Sequence, residues 1–344
     1  MIDFLVKVDY SALDSFEIVK LLTIQRSMIK GMRWKLNEKQ CFHLMENYKS
    51  TALCEGSSKQ IRLMIGINLS LIVSLTNNEA RSKIMAFIFD FPSDNNKYLE
   101  MLLSLLFNCL NSFDPSFIIE YLPNFASCLF DLLAHEDKDL QIMAGNVIGM
   151  ISKTLLTSKD YDKVMSLFFI KDLVSWTTRK KLLNFFLIFY FNHFPILTED
   201  KNLAVLSNIL VAIHDEKVDV REAGALALTG FFTCNPKFIG KLLEENFKIL
   251  RNKQESLLNR QSSALIVSAA ILSSAYEVPE WLPQAAGNLA KHISDIPPIQ
   301  KIVQRTFTEF KRTHLDNWHV DRLKFTEDQL EAISELLTSP SYYV

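Results

Sequence analysis

Apolar side chains recur along this chain at steps of three and four residues, with polar residues filling the positions between them. Positions +3, +4, +7, +8 and +11 from a chosen start trace one face of an α-helix. From Ile61 that face is Met64, Ile65, Asn68, Leu69 and Ile72; from Leu140 it is Met143, Ala144, Val147, Ile148 and Ile151. From Val220 it is Ala223, Gly224, Ala227, Leu228 and Phe231; from Ile299 it is Ile302, Val303, Thr306, Phe307 and Phe310. Leu99, Thr178 and Asn259 start similar faces, so the starts lie about 40 residues apart, the period of HEAT and armadillo units. Second apolar helices fit between them, for example Phe117 to Leu133 and Leu203 to Ile213. One such helix pair cannot bury its own apolar face, and stacking of pairs does so. The expected fold is all-α, a HEAT/armadillo-like α-solenoid of antiparallel helix pairs.

Local signals refine the pattern. In "VDVREAGALAL", Asp219 is expected to cap a helix with Glu222 completing a capping box, and small residues let the neighbouring helix approach. Near the end, Thr326 opens a helix with Gln329 at the capping-box position, Leu330, Ile333, Leu336 and Leu337 form its stripe, and Pro340 stops it. The expected division is therefore residues 1–325 as repeats, 326–338 as a C-terminal helix and 339–344 as an extended tail.

Composition supports helices and narrows the chemistry. Glycine is scarce, 9 residues in 344, and no Asn-Gly or Asp-Gly hairpin signal occurs. A net charge of −2 gives no basic footprint for nucleic acid. Five dispersed cysteines without C-x-x-C spacing read as reduced buried thiols. The longest apolar run, Leu182 to Phe191, is too short to span a bilayer and no secretory signal opens the chain, so a soluble intracellular protein is expected. No P-loop, H-E-x-x-H or G-x-S-x-G string is present. No catalytic residue, metal site or cofactor is expected. His314 and His319 read as a partly exposed helix end, "HDEK" at 214–217 as a solvated loop, and Arg179-Lys180-Lys181 as a solvated face.

The last residues, "SPSYYV", leave aromatic side chains beside a free carboxylate, which suits either a loosely packed end or capture by a pocket. Together with "SSAYEVPEWLPQ" (273–284), "KRTHLDNW" (311–318) and "FTEDQL" (325–330), this ending resembles the C-terminal portion of the large HEAT-repeat activators of the proteasome, the subunit-four family. "VDVREAGALALTGFFTCN" (218–235) is similar as well, whereas the N-terminal half resembles the family only in its repeats. The resemblance implies an ATP-independent activator whose hydrophobic-Tyr-X tail enters a pocket between α subunits of the 20S proteasome and loosens its gate. Here the motif falls on Tyr342, Tyr343 and Val344. It also implies a nuclear and cytoplasmic location and, through an Asn followed by an aromatic residue, acetylated histones as partners. Asn235 supplies the amide, but Pro236 stands where the aromatic belongs, and the basic run of some relatives is missing. No direct nucleic-acid or membrane partner is implied. The alternative function is a general HEAT scaffold or transport adaptor that binds a protein on its concave face.

Overall fold

The computed structural model describes residues 7–31, 37–89, 95–111, 116–168 and 175–337, except the side chains of 116, 158 and 159. Among them are seventeen α-helices and no strand. Two compact units divide the chain, Met1–Phe168 and Phe169–Val344. In the first unit the helices are α1 (Ser15–Gly31), α2 (Glu38–Leu53), α3 (Lys59–Leu75), α4 (Asn78–Phe89), α5 (Asn96–Leu110), α6 (Ser116–Leu132), α7 (Lys138–Lys153) and α8 (Ser158–Leu167). The second unit holds α9 (Trp176–His193), α10 (Glu199–Ile213), α11 (Val218–Cys234), α12 (Ile239–Arg251), α13 (Leu257–Ser273), α14 (Leu282–Ala290), α15 (Pro297–His314), α16 (Trp318–Asp321) and α17 (Glu327–Leu337).

Each unit is an α-solenoid of paired helices in two layers. In the first, α1, α3, α5 and α7 pack each on the next, while α4, α6 and α8 form the other layer and α2 lies on α3 and α5. In the second, α9, α11, α13 and α15 repeat the inner layer, with α10 on α11 and both α12 and α14 on α13. The predicted starts all fall in the first turn of an inner-layer helix. Ile61, Leu99, Leu140, Thr178, Val220 and Ile299 are buried there; Asn259 is only half-buried. Polar residues on these faces have specific work. Asn68 donates to the Leu22 carbonyl (3.1 Å) and to the Tyr48 hydroxyl (3.3 Å), and Gln25 accepts from Tyr10 (2.8 Å) and Tyr48 (2.9 Å). Ser262 donates to the carbonyl of Ile213 at the end of α10 (2.7 Å). Buried polar groups need such partners, so these bonds fix how the helices are seated.

The residue after five of the seven starts, Arg62, Glu100, Arg179, Arg221 and Arg260, takes part in a polar ladder between repeats. Arg62 meets Glu100 (2.7 Å), and Arg179 holds Asp215 through two bonds (2.7 and 3.1 Å). Arg221 donates to the carbonyls of Asp215 (2.7 Å) and Glu216 (3.0 Å) and to Gln261 (2.7 Å). Arg260 donates to the Leu250 carbonyl (3.2 Å) and pairs with Asp295. Burial pushes the Asp295 carboxyl up, but hydrogen bonds from His292, the Ile296 N–H and Arg260, with the charge of Arg260, outweigh it and hold the group at about 2.

This ladder corrects two expectations. Arg179-Lys180-Lys181 is not simply a solvated face, because Arg179 is mostly buried on Asp215 and Lys180 pairs with Asp219 (2.6 Å). "HDEK" is not merely a solvated loop, since Asp215 accepts Arg179 and two of its carbonyls accept Arg221. Asp219 does not cap α11 either. The helix starts two residues earlier, at Val218 after Lys217, without a side-chain cap bond, and the Asp219 carboxylate is drawn to Lys180 instead. Cys41 and Cys109 are buried as expected, whereas Cys54 is exposed. Burial raises the Cys41 thiol to about 11 and Cys109 to about 12. Among the described residues no helix is long and apolar enough to cross a membrane.

Candidate docking site at the C-terminal end

The sequence places the docking chemistry on Tyr342, Tyr343 and Val344, and these lie outside the described residues. The described body that carries them ends at Leu337 of α17. The start of that helix was legible: Thr326 accepts from the Gln329 N–H (3.3 Å), and the Gln329 side chain accepts from the Thr326 N–H (2.9 Å). This reciprocal box satisfies two backbone donors that a helix start otherwise leaves free. Ile333 is buried, and α17 packs on α14 and α15. Gly287 of α14 makes room for it; a methyl there would stand 3.3 Å from the Gln329 Cγ.

Beside α17, α15 ends in a small aromatic cluster. The Trp318 ring is half-buried and meets Phe310 (6.0 Å between centroids, 88°) and Phe325 (5.6 Å, 63°) edge to face. His314 stacks on Phe310 with centroids 4.1 Å apart and is buried, which corrects its expected partial exposure; only His319 is exposed. The His314 Nε2 lies 3.1 Å from the Glu277 carbonyl, which ties the ring inward to the loop between α13 and α14. Its Nδ1 lies 2.9 Å from the Thr313 hydroxyl and 3.0 Å from the Phe310 carbonyl. The two histidines are thus not a ligand pair, and among the described residues no group of three or more His, Cys, Asp or Glu could hold a metal ion.

Between the ends of α15 and α17 lies a cavity of about 140 Å³, lined by Phe310, Lys311, His314, Leu315, Trp318 and Leu337. The bond from His314 also fixes the loop joining α13 to α14. Within that loop Tyr276 has φ 72°, the only positive φ at a non-glycine residue among the described residues, and it is 70% exposed. Sequence periodicity missed Tyr276 and Leu315 because both fall just beyond a helix end, where the three-and-four spacing stops. Their signal was each being a large apolar residue within a polar turn, "SSAYE" and "THLDN".

Asn235, the candidate acetyl-lysine contact, is half-buried just beyond α11. Its side-chain amide donates to the Tyr190 hydroxyl, which itself donates to Asn202 (3.2 Å). Pro236 opens a short 3-10 turn and is exposed; the nearest following ring, Phe238, packs on Phe231 with centroids 5.6 Å apart.

Comparison with known proteins bears on the same end of the chain. Residues 257–344 match the family described as "Proteasome activator complex subunit 4-like, C-terminal". The chain is 34% identical over 240 residues to "Proteasome activator complex subunit 4A" of Danio rerio, which covers 62% of this chain and 13% of that protein. With "Proteasome activator complex subunit 4" of Homo sapiens it shares 32% identity over 189 residues, 49% of this chain and 10% of the relative. The Arabidopsis thaliana "Proteasome activator subunit 4" is 24% identical over 322 residues, 90% of this chain and 17% of that one. The chain therefore spans less than a fifth of the length of these relatives. Residues 257–344, which hold the capping box, the aromatic cluster and the loop of Tyr276, are thus similar to the C-terminal region of the proteasome activator complex subunit 4 family.

Proposed function

We propose that this chain is a proteasome activator-like protein that docks Tyr342, Tyr343 and Val344 into a pocket between α subunits of the 20S proteasome and promotes gate opening without ATP. The observation that carries the reading is the family match over residues 257–344, a span that includes the tail. The chemistry suits such a pocket. The Val344 carboxylate would pair with a pocket cation in a charge-assisted bond of about 1.5–3 kcal/mol. Tyr343 would bury its ring and keep a hydroxyl for the pocket rim. Pro340 limits the conformations the tail must give up on binding. The test is sedimentation with purified 20S particles, comparing the intact chain with one lacking Tyr342 to Val344. Co-sedimentation that survives the deletion would remove the tail from the interaction and return the function to a general scaffold. We propose a nuclear and cytoplasmic location on the same basis.

Asn235 carries a lesser proposal, contact with an acetylated histone lysine. One of its two amide N–H groups is given to Tyr190; the other could meet an acetyl carbonyl. Titration with acetylated and unacetylated histone peptides tests it, and equal weak binding of both would end it.

A further inference from the structure

The open side of the inner layer in the second unit carries two features that the tail does not use. The first is apolar. On α11, Glu222, Leu226, Gly230 and Thr233 follow one another at helical spacing, and Leu226 stands 60% exposed. A methyl built on Gly230 would lie 2.9 Å from the Leu187 Cδ1 and 3.0 Å from the Phe191 Cζ. Two side chains of α9 therefore lie over this glycine, one turn from Leu226. Phe191 and the nearby Ile188 are themselves exposed. Single exposed apolar residues need no explanation, but a group that continues from one helix to the next marks a contact surface.

The second feature is charge. α15 carries Lys301, Arg305, Lys311 and Arg312 against the single acid Glu309. Lys301, Arg305 and Arg312, spaced by four and then seven residues, share one face and are exposed. Arg305 reaches across α13 to Glu222 at 3.7 Å, which puts this face on the same side of the layer as Leu226. α13 itself lies beneath, with every residue from Arg260 to Ile271 buried. The acids of α11 leave part of this positive charge unmatched. Asp219 is held by Lys180 at 2.6 Å, and Glu222 meets Arg305 only loosely, with the arginine side chain 76% exposed. An exposed pair of this kind contributes little, so a ligand carboxylate can replace Glu222 on the guanidinium.

We propose that this side of the second unit binds an extended acidic segment of a partner polypeptide. One apolar side chain of the segment sits on Leu226 and Phe191, and its carboxylates meet Arg305 and Lys301. The two features stand on helices two positions apart in the layer, about 16–20 Å at ordinary helix spacing. About five or six extended residues span that distance. The site is independent of the docking role of Tyr342 to Val344.

The test is fluorescence anisotropy of the full chain with a labelled peptide that carries one leucine and, five and six residues further on, two glutamates. A version with glutamines in place of the glutamates should bind about tenfold more weakly. Arg305→Glu and Leu226→Ser should each weaken binding of the glutamate peptide about tenfold. Both side chains are exposed, so the circular dichroism of the variants should be unchanged. Arg305→Glu should in turn prefer a peptide with lysines at the two positions, a reversal that loss of folding would not give. Deleting Tyr342 to Val344 should leave the peptide affinity as it was, and binding that vanished with the tail would overturn the proposal. So would equal binding of the glutamate and glutamine peptides, or no binding at millimolar peptide. A single-stranded oligonucleotide that binds more tightly than the peptide and ignores Leu226→Ser would show a general anion surface and overturn it as well.

Discussion

The close approach of α3 to α5 at Gly66 makes a quantitative prediction. A methyl built on Gly66 of α3 would lie 2.6 Å from the Met101 carbonyl oxygen, 2.7 Å from the Ser104 Cβ and 2.9 Å from the Leu105 nitrogen. Two of these three atoms are backbone and cannot rotate away. Comfortable carbon contacts begin near 3.5 Å, so Gly66→Ala must part α3 and α5 by about 0.8 Å. That displacement also stretches the bond from the Ser104 hydroxyl to the Leu63 carbonyl, now 2.9 Å. Overpacking costs about 1–3 kcal/mol and the weakened bond about 1 kcal/mol, against about 1 kcal/mol gained from replacing glycine inside a helix. The net expectation is a loss of about 2 kcal/mol. Native-state hydrogen exchange reads this locally: amides of 59–75 and 96–110 should exchange roughly thirtyfold faster. Gly240→Ala is the control, because nothing lies within 4 Å of its added methyl, and it should be neutral or stabilise by up to about 1 kcal/mol. Unchanged or slower exchange in Gly66→Ala would refute the packing argument.

Further expectations follow from single groups. Asp295 sits at about 2 in place of an ordinary 3.8, a stabilisation of about 2 kcal/mol. Because the folded value is the lower one, this contribution is complete above about pH 5 and is lost as pH falls through 3.8 toward 2; Asp295→Asn should flatten that part of the stability profile, and an unchanged profile would contradict the cluster. Trp318→Ala removes a half-buried ring from between Phe310 and Phe325 and should cost about 2–3 kcal/mol in urea melts; an unmoved midpoint would show the ring to be dispensable. Among the thiols, exposed Cys54 should react with a disulfide reagent well before buried Cys41 and Cys109, whose raised values keep them protonated near neutral pH; equal rates would mean that the first unit opens freely.

The repeat was legible because burial repeats with the helix: Ile61, Leu140, Val220 and Ile299 all face the interior at the spacing their sequence positions imply. The capping box of Thr326 and Gln329 was legible for a similar reason, since both partners lie within one turn. Long-range polar partners were not. Arg179 with Asp215 and Arg260 with Asp295 join residues about 35 positions apart, and a single sequence gives the period of the stack without fixing which polar ends meet. The same blindness produced the misplaced cap. Asp219 has a good capping side chain, but Lys180 on the neighbouring helix competes for it and wins. At the C-terminal end the motif residues Tyr342, Tyr343 and Val344 were read from the resemblance. Tyr276 and Leu315 needed the fold: Leu315 lines the cavity beside Leu337, and the positive φ of Tyr276 shows only in the backbone.

The central claim is tested most directly by the tail separated from the body. Residues 337–344 fused to an inert carrier, with a free carboxyl end, should compete with the full chain for the 20S particle. Amidating the Val344 carboxylate should abolish that competition, and Tyr343→Ala in the fusion should weaken it roughly thirtyfold, the equivalent of about 2 kcal/mol. A free-carboxylate fusion that fails to compete even at high concentration would contradict the account.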